Sequence, residues 1–212
     1  LARLYLVTPR DPDVATFPAL LEETLAAGEV ASLLIALETG SGHLRQRLAE
    51  ILIPIAQKHG VAVLVRNDTR AAGRTSADGV HVDTGRTDLD AALKSFHPAK
   101  IVGCGGVANR HEAMEAGETE VDYVFFGDVD RPEEAAAERR SLELAEWWVP
   151  LFEPPIVVMA GNDLASIDAV VATGAEFVAL RDAIWSHPDG PAAALRAALA
   201  RLEPPARTEN PK

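Results

Sequence analysis

Eight times along this chain a short, nearly unbroken apolar run gives way to a longer amphipathic one. The runs are Arg3–Pro9, Ala31–Leu37, Val61–Arg66, Gly79–Val82, Lys100–Cys104, Asp122–Gly127, Ile156–Ala160 and Phe177–Leu180. They are rich in Val, Ile and Leu and show no polar face, the pattern of strands buried on both sides. Between them lie helix-like segments at Phe17–Ala27, Leu44–His59, Leu89–Phe96, Arg110–Ala116, Leu142–Trp148, Leu164–Thr173 and Ala192–Leu202. Thr69–Ser76, after the third run, is long enough for only a turn or two. Glycines 28, 60, 117 and 174 stand where helices need a left-handed closing residue, and Asn109 and Asp163 where they need N-caps. Buried parallel strands alternating with helices leave two architectures, an open doubly wound sheet and a closed (β/α)8 barrel. The count of eight favours the barrel. The first strand also ends Val7-Thr8-Pro9-Arg10, which lacks the Gly-x-Gly-x-x-Gly cradle of a dinucleotide site. The chain is therefore expected to be one TIM-barrel domain over residues 1–202, followed by a flexible tail at 203–212.

Charge narrows the function. The 212 residues carry a net charge of -12 without a block of like charges. Nucleic acid is not expected as a partner, because phosphate-backbone binding needs clustered Lys and Arg. Small phosphorylated molecules remain open, since backbone amides and a metal can hold them. No stretch approaches the roughly 18 apolar residues of a membrane span. The chain opens on a strand-like run rather than a leader, so a cytoplasmic location is expected. One cysteine, Cys104, rules out an intrachain disulfide and reads as a buried small hydrophobe. Trp147 and Trp148 raise the option of a homodimer contact, against core packing of at least one.

In such a barrel the chemistry sits where strands end. That rule selects Thr8 and Arg10; Glu38 and Thr39; Arg66, Asn67 and Asp68; His81 and Asp83; Gly105 and Gly106; Asp128, Asp130 and Arg131; Gly161, Asn162 and Asp163; Arg181 and Asp182. Crowded carboxylates raise one another's pKa unless a cation compensates, and Mg2+ suits oxygen ligands. Asp68, flush with a buried strand, is the acid most expected to act. The four lysines, Lys58, Lys94, Lys100 and Lys212, all miss the strand ends, which argues against Schiff-base chemistry. Without a His-x-His pair a zinc hydrolase is not expected either. His81 reads as a core or rim histidine with a satisfied hydrogen bond. Gly105-Gly106 and Gly161 would let amides approach an anion. Ala183-Ile184-Trp185 is a candidate short extra helix beside them.

These segments resemble the thiamine phosphate synthase family. Leu4-Tyr5-Leu6-Val7-Thr8 looks like its opening strand, Val65-Arg66-Asn67-Asp68 like its Asn-Asp motif, and Ala77-Asp78-Gly79-Val80-His81-Val82 like its most recognisable signature. Ile101-Val102-Gly103, Asp122–Gly127, Thr173-Gly174-Ala175 and Ala183-Ile184 continue in order. The resemblance implies joining of hydroxymethylpyrimidine diphosphate to thiazole phosphate, with Mg2+ and release of pyrophosphate. It implies that Asn67 contacts the diphosphate, that Asp68 ligates Mg2+, and that Gly161 is one glycine of a phosphate-binding pair. The second metal ligand would be Asp88 or, nearer in sequence, Asp83. The chain also departs from the pattern. Ile35–Thr39 lacks the family's Gln-x-Arg-x-Lys, Gly105-Gly106-Val107 replaces Ser-Thr-His, Asp130-Arg131-Pro132-Glu133 replaces Thr-Pro-Thr-Lys, and Asp182 replaces a serine. Two expectations follow: a synthase whose anion site is rebuilt on Arg66, Arg131 or Arg181, or a paralogue that binds a phosphorylated ligand or a protein without this catalysis. A related thiazole tautomerase would have to use His111, which falls on a helix.

Overall fold

The computed structural model describes residues 1–37 and 42–202. Its strands are β1 (Arg3–Val7), β2 (Ser32–Ile35), β3 (Ala62–Arg66), β4 (Gly79–Val82), β5 (Ile101–Cys104), β6 (Tyr123–Phe126), β7 (Ile156–Met159) and β8 (Phe177–Leu180). Each pairs in parallel with the next, and β8 pairs with β1, closing the (β/α)8 barrel. The helices are α1 (Phe17–Leu25), α2 (Gly42–Lys58), α3 (Thr69–Arg74), α4 (Arg86–Phe96), α5 (Arg110–Gly117), α6 (Arg139–Trp148), α7 (Ser166–Ala172), the short α8 (Asp182–Trp185) and α9 (Pro191–Leu202). Glu38 and Thr39, and the tail 203–212, lie outside the described residues.

Several expectations about helix ends need correction. Asn109 caps α5 by accepting from the Glu112 amide at 3.0 Å. Asp163 instead accepts from the Ala165 amide, one turn before α7 begins. Gly60 and Gly174 take the left-handed backbone; Gly28 and Gly117 do not, and are glycines for space. A Cβ on Gly28 would meet Leu199 at 2.2 Å, and one on Gly117 would meet the Trp148 ring at 2.6 Å.

The alternation hidden by continuous hydrophobicity is resolved by the closed sheet, in which side chains two apart share a face. Leu4, Leu6, Leu33, Ile35, Val63, Val65, Val124, Phe126, Ile156 and Val158 pack outward under the helices. Tyr5, Val7, Leu34, Ala36, Leu64, Tyr123, Phe125, Val157, Met159 and Ala179 form a separate interior cluster. Aromatic residues of β1 and β6 fill the volume left by Gly103, where a Cβ would lie 2.0 Å from the Tyr123 ring. Val129, just beyond β6, joins that interior cluster and stoppers the barrel from above.

The opposite end is fastened by acids. Asp78, Asp122 and Glu176 precede β4, β6 and β8, and their carboxylates accept from amides in the first two residues of the neighbouring odd strands: Val63 at 2.7 Å, Val102 at 2.7 Å and Ile156 at 2.9 Å. Carboxylates at this end serve stability, not chemistry. Trp148 is fully buried, stacks on Phe152 at 4.2 Å and donates to the Pro154 carbonyl at 2.9 Å. Trp147 is half-buried beneath the Arg110 guanidinium, 5.0 Å away. No helix among the described residues is long and apolar enough to cross a membrane.

Candidate functional site

The inward parity that places Leu64, Gly79, Gly103, Phe125, Met159 and Ala179 inside the barrel continues past the strand ends. Two residues on from Leu64 and Ala179 it reaches Arg66 and Arg181; four on from Gly79 it reaches Asp83; two on from Gly103 and Met159 it reaches Gly105 and Gly161. These five sequence-selected residues thus ring the C-terminal mouth. Asn67 lies beside them in a left-handed turn, φ 54°, a conformation asparagine tolerates better than most residues. Asp68 caps α3 by accepting from the Ala71 amide at 2.8 Å. Asp88 sits in the exposed first turn of α4 and accepts from the Thr84 hydroxyl at 2.6 Å.

Arg66 is the hub. Its Nε donates to Asp83 Oδ2 at 2.7 Å, and its two terminal nitrogens donate to the two oxygens of Asp130 at 2.6 Å each. Burial works against this cation, but the bonds to Asp130 and Asp83 outweigh it and raise its pKa. Asp83 is also held by Asn67, whose Nδ2 donates to Oδ1 and whose Oδ1 accepts from the Asp83 amide at 3.0 Å. One carboxylate therefore fixes both the arginine and the asparagine.

A hydrogen-bonded chain runs beneath. Tyr5 and Tyr123 hydroxyls are 2.9 Å apart, and Tyr123 OH lies 2.9 Å from His81 Nδ1. His81 is fully buried, and its Nε2 has no hydrogen-bond partner. The expectation of a satisfied histidine is thus half right. Burial pushes its pKa down to about 4, against the opposing pull of Asp83, so the ring is neutral at pH 7. Gly105 is required here: a Cβ would stand 2.5 Å from His81 Nε2. Cys104 is buried, and burial pushes its thiol up to about 11, which leaves it unreactive.

The segment joining β6 to α6 covers the other half of the mouth. Arg181, 1% exposed, donates to the Val129 carbonyl at 2.7 Å. Arg10 donates to the Asp130 carbonyl at 2.9 Å and also to the Arg131 carbonyl. The Asn162 amide donates to the Glu134 carbonyl at 2.8 Å, and the Gly161 amide to the Ser166 hydroxyl at 2.9 Å. A Cβ on Gly161 would meet the Ala135 and Glu134 carbonyls at 2.3 and 2.5 Å. Glu133 accepts from the Asp182 amide at 3.2 Å through one oxygen, while the other is buried without a partner. The amides after β7 and β8 that a phosphate would use are thus occupied from within the chain. A cavity of about 490 Å3, lined by Glu133, Arg140, Met159 and Gly161, lies on one side of this segment. Another of about 410 Å3, lined by Arg66, Asp83, Asp130, Arg131 and Arg140, lies on the other. Sequence reasoning does not single out Val129 or Glu133; the signal available was their place in a long acidic connection after a barrel strand.

Burial, reinforced by Asp182, pushes Glu133 up to about 7 from 4.5. A raised acid binds its proton more tightly in the folded chain. Its contribution to stability is therefore complete below pH 4.5 and lost as pH rises through 7. The full shift corresponds to roughly 3 kcal/mol, and partial solvent access reduces that to about 1–2 kcal/mol. Glu133→Gln, which mimics the protonated acid, is expected to be more stable than the parent at pH 8 by that amount and equal to it at pH 4.5. Urea unfolding midpoints across this range test it; a difference independent of pH would contradict the assignment.

Among the described residues, no three His, Cys, Asp or Glu side chains converge on a ready-made cation site. Mg2+ commonly takes only one or two protein carboxylates and completes its shell with water and substrate phosphate. The donor chemistry of Asp68 and Asp88 suits that manner of binding. Asp83 suits it less, because both its oxygens are engaged by Arg66 and Asn67.

Fold and mouth together define a (β/α)8-barrel protein with a polar, arginine-centred site at the C-terminal ends of its strands. The chain belongs to the thiamine monophosphate synthase family, whose model matches residues 4–184. It is 36% identical to a thiamine-phosphate synthase of Hyphomonas neptunium over 95% of this chain and 94% of that one. It is 34% identical to a thiamine-phosphate synthase of Rhodospirillum centenum over 91% and 94%. In structure it is similar to thiamine phosphate pyrophosphorylase from Pyrococcus furiosus, with a TM-score of 0.78 at 22% identity, covering 94% and 95% of the two chains. At that identity the likeness concerns the fold.

Proposed function

We propose that this thiamine phosphate synthase-like protein joins hydroxymethylpyrimidine diphosphate to thiazole phosphate, using an anion site rebuilt on arginine. The observation that carries the reading is the position of Arg66. It is the last residue of β3, turned into the mouth by strand parity and forked on two carboxylates, beside Asn67 and Asp68. A planar guanidinium presents to a phosphate the same pair of N–H groups that it presents to a carboxylate. Arg66 thereby replaces the cations missing after β2. Asn67 would orient the diphosphate, and Asp68, with Asp88, would hold Mg2+. Bound there, Mg2+ would supply charge neutralisation to the leaving pyrophosphate. Val129, which joins the interior apolar cluster at the mouth, would exclude water from that side of the electron-poor pyrimidine that departure creates.

The test is product formation from both substrates with Mg2+. Turnover is expected, and Asp68→Asn is expected to lower it about a hundredfold, the usual cost of losing one transition-state electrostatic contact. No product from folded parent protein would overturn the proposal. A second reading, a paralogue that binds without catalysis, is favoured by the occupied amides of Gly161, Asn162 and Asp182. Calorimetric binding of thiamine phosphate without turnover would support it.

A further inference from the structure

Arg66 has two unlike partners. Asp83 follows β4, is 8% exposed and is tied down by Asn67. Asp130 lies on the connecting segment and is 59% exposed, yet it takes both terminal nitrogens of the guanidinium at 2.6 Å. All three donor directions of Arg66 are thereby filled, two of them by a replaceable group. Arg10 and Arg181 grip carbonyls of the same segment, at Asp130 and Val129. Three arginines around a barrel mouth thus each donate to one stretch of chain. The adjoining cavity of about 410 Å3 is also lined by Arg140.

We propose that Asp130 is an internal stand-in for a phosphoryl group, and that a diphosphate binds Arg66 only by displacing it. This rests on the reading of the mouth as a diphosphate site and adds its control: ligand and Asp130 exclude one another. The chemistry is symmetrical, since carboxylate and phosphate both offer two oxygens at the spacing of the guanidinium fork. Arg66 holds the Asp130 carboxyl below the usual carboxylate range, so the competitor is ionised at neutral pH. Asp130 is 59% exposed, so its side of the pair is open to water and weak enough to exchange. Asp130 also adds one negative charge to a cavity that already holds Asp83, Asp128 and Glu138. Its neutralisation therefore helps an anion twice, by freeing donors and by removing repulsion.

The experiment is calorimetric titration of the full chain with inorganic pyrophosphate in Mg2+ buffer. Asp130→Asn keeps size and turn geometry while discharging the group, and Asp130→Ala is the second variant should the amide hold Arg66 equally well. At least one is expected to bind pyrophosphate about tenfold more tightly than the parent, from the release of a surface ion pair and one repulsive charge. Arg66→Gln is expected to lose binding in both backgrounds. Equal or weaker binding by both Asp130 variants overturns the proposal, as does binding that survives Arg66→Gln or is absent from every folded variant. Turnover is measured separately. A parent that makes no product while its Asp130 variants bind more tightly defeats the assigned reaction but not this inference; a parent that turns over while Asp130 variants bind as it does defeats the inference alone.

Discussion

Arg181→Ala is expected to cost the fold about 3–5 kcal/mol, the range for removing one member of a buried charge arrangement. Arg181 is 1% exposed, and burial, with Arg10 nearby, lowers its pKa; Glu133 and Asp182 oppose that shift. Its removal takes a donor from the Val129 carbonyl and a compensating cation from Glu133. It also opens a hole under the segment that stoppers the barrel. Arg181→Met should cost clearly less, because it keeps the aliphatic stem and discards a cation whose Nε has no partner. In a cycle with Glu133→Gln, the two sites should couple favourably, since the neutral amide no longer needs the cation. Urea denaturation at pH 7 gives all four values. A loss below about 1 kcal/mol for Arg181→Ala would mean that its guanidinium is hydrated, and the account of the closed mouth would fail with it.

The sequence disclosed the barrel because its strands and helices repeat eight times and each run is buried on both faces. It disclosed Arg66, Asp83, Gly105, Gly161 and Arg181 because the rule that chemistry follows strand ends needs no coordinates. Parity alone would not have separated Asp68, two residues beyond Arg66, from these inward residues; it turns aside because the chain enters α3 there, and Asp88 lies on a helix. What it could not disclose is who partners whom. Arg66 and Asp130 are 64 residues apart, and Glu133 meets the Asp182 amide across 49. Nothing local in Asp130-Arg131-Pro132-Glu133 says that its acids turn inward onto the chain's own cations and amides rather than outward to water. Continuous hydrophobicity likewise hid which residue of each pair faces the barrel axis. The two expectations left open, a rebuilt anion site and a binding-only paralogue, correspond to two facts now visible together: arginines at the mouth, and an acidic segment already seated on them.

Gly79→Ala is expected to cost at least about 3 kcal/mol, at the upper end for adding a methyl to a packed site. Gly79 is paired with Ile101 in the register of β4 on β5, and a Cβ would stand 2.0 Å from the Ile101 carbonyl oxygen and 2.7 Å from its carbon. Backbone cannot rotate away as a side chain would, so the two strands must part. That strains the Ile101 amide's bond to the Asp78 carbonyl at 2.9 Å and the Asp78 carboxylate's bond to Val63 at 2.7 Å. The displacement also travels up β4. His81, two residues on, is held by Tyr123, and Asp83, four residues on, holds Arg66 and Asn67. The Asp78-Gly79-Val80-His81 signature is therefore explained by packing: an acid that clamps β3, a glycine against a carbonyl, a valine under the helices and a histidine on the barrel axis. Gly60→Ala is the control, since that residue has φ 74° with nothing within 4 Å and should cost only about 1 kcal/mol, from placing a Cβ on left-handed backbone. If Gly79→Ala unfolds at the parent's urea concentration, β4 and β5 are not as close as described, and the alignment of Asp83 beneath Arg66 loses its cause.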